Sequence, residues 1–173
     1  MDLRGNLVYP KGVELVAGRV VSRSVNAWSS TVNINVGSDR GVDVYDPVVN
    51  GAGLVGRVTK VSATQAQVTL ITDQQSYIDA MVLGEGEELG TAKGIVGGSV
   101  TGDVTLQYVD KSEKVKIGEY VVTSGRDSTA FVRGIPIGRV SSVGLQDVEL
   151  YQNIAVQPWV DFHKLDIVQV IVK

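Results

Sequence analysis

The chain of 173 residues contains no cysteine and only one histidine. Without thiols, disulfides and thiolate metal sites are excluded. The lone imidazole, His163, stands beside Asp161 and Asp166 without the clustered ligands a metal centre needs, so no metal or cofactor is expected. Aromatic residues make up 6% of the chain and proline occurs four times. No apolar run approaches the length of a membrane span, and no secretory signal is legible. Basic residues are also short: 16 Lys and Arg face 19 Asp and Glu, for a net charge of −3. The loose basic group Lys111, Lys114 and Lys116 is interleaved with Asp110 and Glu113 and reads as a solvated turn, which argues against nucleic-acid binding. Helical runs rich in Leu, Ala, Glu and Lys are missing as well.

What is abundant is glycine, at 20 residues, together with Val, Ile and Thr. β-Branched side chains fit a pleated surface, so the balance favours strands. Alternating segments recur every 10–15 residues between Gly, Pro, Asn and Asp. Residues 31–36 are the clearest case, with Val32, Ile34 and Val36 on one face and Thr31, Asn33 and Asn35 on the other. About twelve strands are expected, six in each half.

One phrase occurs twice. Gly53-Leu54-Val55-Gly56-Arg57-Val58-Thr59-Lys60-Val61 reads almost like Ile135-Pro136-Ile137-Gly138-Arg139-Val140-Ser141-Ser142-Val143, 82 residues later. Residues 41–49 lead into the first copy and residues 118–123 into the second. Two related units in tandem, built of short strands, predict two small antiparallel six-stranded β-barrels, an all-β fold with the architecture of trypsin-like proteases. Closing each sheet removes the exposed edges on which chains aggregate. The expected division is a leader or tether at 1–14, a first barrel at 24–92 and a second at 93–173, with the connector Gly84-Glu85-Gly86-Glu87-Glu88 between them. Strand 15–23 also carries Gly-Arg-Val and is open to either unit; in the alternative it joins the second barrel and leaves the first inserted.

Several chemistries fail on their surroundings. Gly51-Ala52-Gly53-Leu54-Val55-Gly56 matches the dinucleotide fingerprint, but a strand pattern follows where a helix is required. The protease architecture asks for a triad, and His163 is its one possible base. Only ten residues follow His163 and none is serine, while Ser124 lacks the glycine-rich surroundings of a nucleophile. No catalytic residue is assigned.

The ordered motifs resemble the extracytoplasmic β domain of the bacterial rod shape-determining MreC family. Val20 to Trp28 resembles its opening strand, residues 34–42 its "idkGs-x-dGV" segment, and Pro47-Val48-Val49 with Gly53 to Val58 its "pVv…GLvGrV" segment. Val68 to Asp73, residues 115–125, Gly134 to Val140 and Pro158 to Phe162 continue the series. The sequence departs from the family at Glu119, where the pattern has Asp, and at residues 129–133, where a Pro is lost. The resemblance implies a non-enzymatic scaffold of the cell-elongation complex, on the outer (periplasmic) face of the inner membrane. Its implied partners are the elongation-specific penicillin-binding protein, which it binds and activates, the MreD and MreB system, and further copies of itself. It also implies a preceding membrane helix and coiled coil, of which residues 1–14 would be the tether. The alternatives are a periplasmic adaptor of another envelope-assembly system and, on fold analogy alone, a trypsin-like hydrolase.

A contact surface shows itself as apolar residues set among charges. Phe131 and Val132, flanked by Arg126 and Arg133 in the loop 125–134, are the expected partner-binding residues. The competing reading has Phe131 plugging a barrel end. Trp28, Tyr77, Tyr108 and Trp159 are expected to be core or barrel-closing residues.

Overall fold

The structure, a computed structural model, describes residues 13–25, 30–83, 92–98, 103–110, 112–124, 134–144 and 151–172. Twelve strands lie among them: β1 (Glu14–Val25), β2 (Ser30–Ile34), β3 (Pro47–Val49), β4 (Leu54–Val61), β5 (Ala66–Leu70), β6 (Ile78–Leu83), β7 (Lys93–Gly98), β8 (Val104–Asp110), β9 (Tyr120–Thr123), β10 (Pro136–Gly144), β11 (Tyr151–Pro158) and β12 (Ile167–Val172). Two short 3-10 turns, Ser38–Arg40 and Phe162–Lys164, are the helical elements among the described residues. All pairings are antiparallel, and the strands close into two six-stranded barrels.

The barrels do not follow one another along the chain. The first is β1-β12-β3-β4-β5-β2 and the second is β10-β11-β8-β7-β6-β9. The chain lays down five strands of the first barrel, builds the whole second barrel, and returns with β12 to close the first. Residues 78–83 therefore belong to the second barrel and residues 167–172 to the first, against the division at 92/93. Strand β1 stays in the first barrel, paired with β12 from Glu14↔Val172 to Arg19↔Ile167 and with β2 on its other side. It is the second unit that is inserted, not the first. The reason is edge satisfaction: β1 and β3 each present an unpaired edge until β12 lies between them.

The repeat is smaller than a barrel. Gly-Arg-Val occurs in β1, β4 and β10, and each time the residue after it is looped out of register: Val21, Thr59 and Ser141 have no opposite number in β2, β5 and β11. Such a bulge bends the strand and sharpens its twist, which a barrel this narrow needs. In each copy the valine N–H donates to the carbonyl of an acidic residue just before the neighbouring strand. The pairs are Val20 to Asp166 at 2.8 Å, Val58 to Asp46 at 2.9 Å and Val140 to Glu119 at 2.8 Å. The unit is thus three strands: β3-β4-β5, β9-β10-β11, and β12-β1-β2 with its first strand supplied from the far end of the chain. Strands β6-β7-β8 complete the second barrel, with Gly94 in the matching place.

These glycines are required by close approach. A Cβ on Gly56 would lie 2.0 Å from the Thr69 carbonyl oxygen, one on Gly138 would lie 2.2 Å from that of Gln157, and one on Gly94 would lie 2.4 Å from that of Gln107.

Alternation along the strands sorts the core. Val168, Val170 and Val172 of β12 pack inside the first barrel with Val32, Ile34, Val58, Val68 and Leu70. Ile171, between them, points the other way and joins Val49, Leu54 and Ile71 in one continuous cluster with the second barrel's Ile78, Leu106, Val121, Ile137 and Ile154. Phe162, on the return path to β12, packs against both clusters. The two crossings between barrels are pinned by polar groups. In the first, the buried Asp73 accepts from Ser30 N (2.7 Å) and Gln75 N (2.8 Å), and its carbonyl accepts from Gly98 N. In the second, the Arg23 guanidinium donates to the carbonyls of Phe162, at 2.9 Å, and Leu165.

Candidate interaction surface

The structure scatters the residues a hydrolase would need. His163 sits exposed in the 3-10 turn between β11 and β12, where its backbone N–H donates to Asp161 Oδ1 at 3.0 Å. Ser124 follows β9 of the second barrel, and its N–H donates to the Asp79 carbonyl. No hydrogen bond joins their side chains. The fingerprint-like Gly51 to Gly56 is the β3–β4 hairpin: Asn50 Oδ1 accepts from Ala52 N and Gly53 N, and β4 begins at Leu54. Its tip presses on the second barrel, since a Cβ on Gly53 would lie 2.5 Å from the Pro136 carbonyl oxygen. That glycine serves packing between barrels, not a phosphate. No group of three metal-ligating side chains comes together among the described residues.

Arg126, Phe131, Val132 and Arg133 lie outside the described residues, so the structure places none of the four. The stem of their loop is described. Gly134 N donates to the Thr123 carbonyl at 2.9 Å, Thr123 N to the Ile135 carbonyl, and Ile135 N to the buried Thr123 hydroxyl at 2.9 Å. The loop therefore leaves the second barrel through a tightly bonded neck between β9 and β10.

The large rings turn outward. Tyr77 is 60% exposed, Tyr108 57% and Trp159 40%, correcting their expected core placement, while Trp28 lies outside the described residues. The physical reason is volume: narrow six-stranded barrels are filled here by Val, Ile, Leu, Ala and Met, and a ring does not fit. Three outward pairs result. Tyr108 and Tyr151 meet edge to face with centroids 5.8 Å apart, Tyr120 and Trp159 meet tilted at 5.8 Å, and the Arg57 guanidinium lies 5.5 Å from the centre of the Tyr45 ring.

Tyr45 and Tyr108 are also the only non-glycine residues with positive φ among those described, at 75° and 62°. For a bulky side chain this is a costly region. Tyr108 lies where β8 and β11 slip register between Gln152 and Ile154. Tyr45 lies in the turn before β3, with its N–H bonded to the Val58 carbonyl at 2.7 Å. Neither Tyr45 nor Arg57 stands out by strand alternation or by a known ligand-binding motif. Superposing residues 43–49 on 116–122 within the repeat would have exposed Tyr45, because it falls on Gly118.

Interlocked barrels with rings displayed on the outside define a two-barrel β protein of surfaces. The family model for the barrel core of the rod shape-determining protein MreC matches residues 20–172. The cell shape-determining protein MreC of Caulobacter vibrioides is 36% identical over 126 residues, covering 73% of this chain and 35% of that protein. The chain thus spans about a third of that relative's length. The solved MreC of Listeria monocytogenes superposes with a TM-score of 0.81 at 32% identity, over 92% of this chain and 76% of that one. The MreC of Helicobacter pylori, solved in complex with penicillin-binding protein PBP2, shares the fold at 18% identity, with a TM-score of 0.72 over 93% of this chain and 99% of that one. The chain belongs to the MreC family of cell shape-determining proteins.

Proposed function

We propose that this chain is a non-enzymatic scaffold of the bacterial cell-elongation machinery, working outside the cytoplasm, where it binds and activates the peptidoglycan-synthesising penicillin-binding protein. It cooperates there with the MreD and MreB system and associates with its own copies. The membrane is reached through a segment ahead of these barrels; no helix among the described residues is long and apolar enough to cross it. The observation that carries the reading is membership of the MreC family, one member of which has been solved with PBP2 bound. The dispersal of His163 and Ser124 supports a role without chemistry, and the shared core supports a rigid body that presents surfaces.

The test is titration calorimetry of this chain against the extracytoplasmic part of the penicillin-binding protein from the same organism. Saturable binding is expected, with the partner's glycan-polymerising or crosslinking rate raised in its presence. Absence of binding sinks the reading. In the same titration, Phe131→Ala and Arg133→Ala decide whether the loop 125–134 takes part.

A further inference from the structure

The three Gly-Arg-Val units provide an internal control on what an arginine does at that position. Arg19 is exposed and pairs with Asp166, Nε to Oδ1, at 3.6 Å. Arg139 is exposed and donates to Gln157 Oε1 at 3.3 Å. Arg57 is half-buried, yet has no hydrogen-bond or ion-pair partner among the described residues. A guanidinium carries five donors in a planar fork, and those of Arg57 stay accessible and open to an acceptor from outside the chain. In the nearest turn Asp43 Oδ1 accepts from Val44 N at 2.8 Å and Asp46 Oδ2 from Asp43 N at 2.8 Å.

The group that partly covers Arg57 is the Tyr45 ring, and Tyr45 holds left-handed backbone to be there. The second copy of the same turn shows the relaxed solution, Gly118 at φ 94°. Strain kept at one copy and absent from the other points from the outlier to a use. The ring gains little burial in return, since it stays 58% exposed beside the exposed Val44.

We propose that Tyr45 and Arg57 form a seat for a carboxylate side chain, Asp or Glu, on the protein partner. The proposal rests on the scaffold reading above and names a contact within it. The fork receives the carboxylate bidentately, and the ring with Val44 forms the apolar wall that screens the pair from water. Charge complementarity selects the occupant: a cation lacking its own anion, set against an aromatic, takes an acid flanked by apolar residues. Tyrosine and arginine are also the residues that concentrate binding energy at interfaces.

The test is calorimetric titration with the penicillin-binding protein's extracytoplasmic part, at low and at moderate salt, using wild type, Arg57→Gln, Tyr45→Gly and the control Arg139→Gln. Unfolding midpoints are recorded for each. Arg57→Gln should weaken binding at least tenfold and flatten its salt dependence. Tyr45→Gly should weaken binding while its unfolding midpoint does not fall, a combination that a merely structural tyrosine would not give. Arg139→Gln should stay within twofold of wild type. Wild-type binding that both Arg57→Gln and Tyr45→Gly retain within twofold overturns the seat and leaves the scaffold standing. Failure of the wild type to bind overturns the scaffold reading, and the seat with it.

Discussion

Tyr45 and Gly118 occupy the same place in two copies of one turn, and both hold left-handed backbone, at φ 75° and 94°. Each donates its N–H to the valine carbonyl of its Gly-Arg-Val strand, Tyr45 to Val58 at 2.7 Å and Gly118 to Val140 at 2.8 Å. A Cβ on Gly118 would meet nothing within 4 Å, so a substitution there tests backbone conformation alone. Gly118→Ala should cost about 1 kcal/mol in chemical denaturation, the usual penalty for an L-residue in this region. A neutral result would show that the turn adopts another conformation.

The mirror experiment is at Tyr45. Replacing it by glycine removes about 1–2 kcal/mol of strain and adds about 0.5–1 kcal/mol of unfolded-chain entropy. Tyr45→Ile keeps the strain and adds β-branching, so it should be less stable than wild type by about 1 kcal/mol or more, while Tyr45→Gly is not. Equal midpoints for the two variants would contradict this account.

Gly56 and Gly138 are held by contact rather than by φ. Their missing Cβ atoms would lie 2.0 and 2.2 Å from carbonyl oxygens of the adjacent strand. Gly56→Ala or Gly138→Ala forces two strands apart and should cost about 3 kcal/mol or more, or prevent folding. Gly51→Ala, in open space at the hairpin tip, should change stability by less than about 0.5 kcal/mol.

Removal of β12 tests the interlocked topology. A chain ending after Val160 lacks the strand that separates β1 from β3, although both belong to the sequence's first half. Amide exchange should show protection lost in β1 to β5 and better kept in β6 to β11. Loss confined to β6–β11 would restore a sequential division of the barrels. Within the intact chain, Ile171→Ala should cost roughly 2–5 kcal/mol, as it opens a cavity where the barrels share their core.

Asp110 provides a pH signature. The Ser112 backbone N–H, and then its hydroxyl, both donate to the Asp110 carboxylate at 2.8 Å and hold its pKa below the ordinary 3.8. A carboxyl whose folded pKa is depressed contributes stability that is present above the unfolded value and lost as pH falls through the folded one. Ser112→Ala should move the titration of Asp110, followed by NMR, upward toward 3.8, with the Ser112 N–H still bonded. An unmoved midpoint would rule out the hydroxyl as a cause.

Much of the fold was legible because strands declare themselves locally. The alternation of Val32, Ile34 and Val36 against Thr31, Asn33 and Asn35 marked a strand in its true place, and the doubled phrase with its glycines marked two related units. Those same glycines also carried the family motif. The aromatic residues misled, since hydrophobicity says that a ring seeks burial and not whether a six-stranded barrel has room for it. Arg57 and Tyr45 were hidden for another reason. The letters do not show that one arginine of three is left without a side-chain acceptor, and they set Tyr45 against Gly118 only when residues 43–49 are laid on 116–122.

By itself the sequence determined the all-β class, the number of barrels and of strands, the repeated bend and the family, because periodicity, β-branching and glycine act over a few residues. The tertiary structure alone decided which strands share a barrel. Glu14 finds its partner in Val172, and the second barrel is threaded between them. An alternating strand specifies which of its faces is buried but not whose edge it will bond. That choice is made only when β1 and β3, both left with open edges, take in the last strand of the chain.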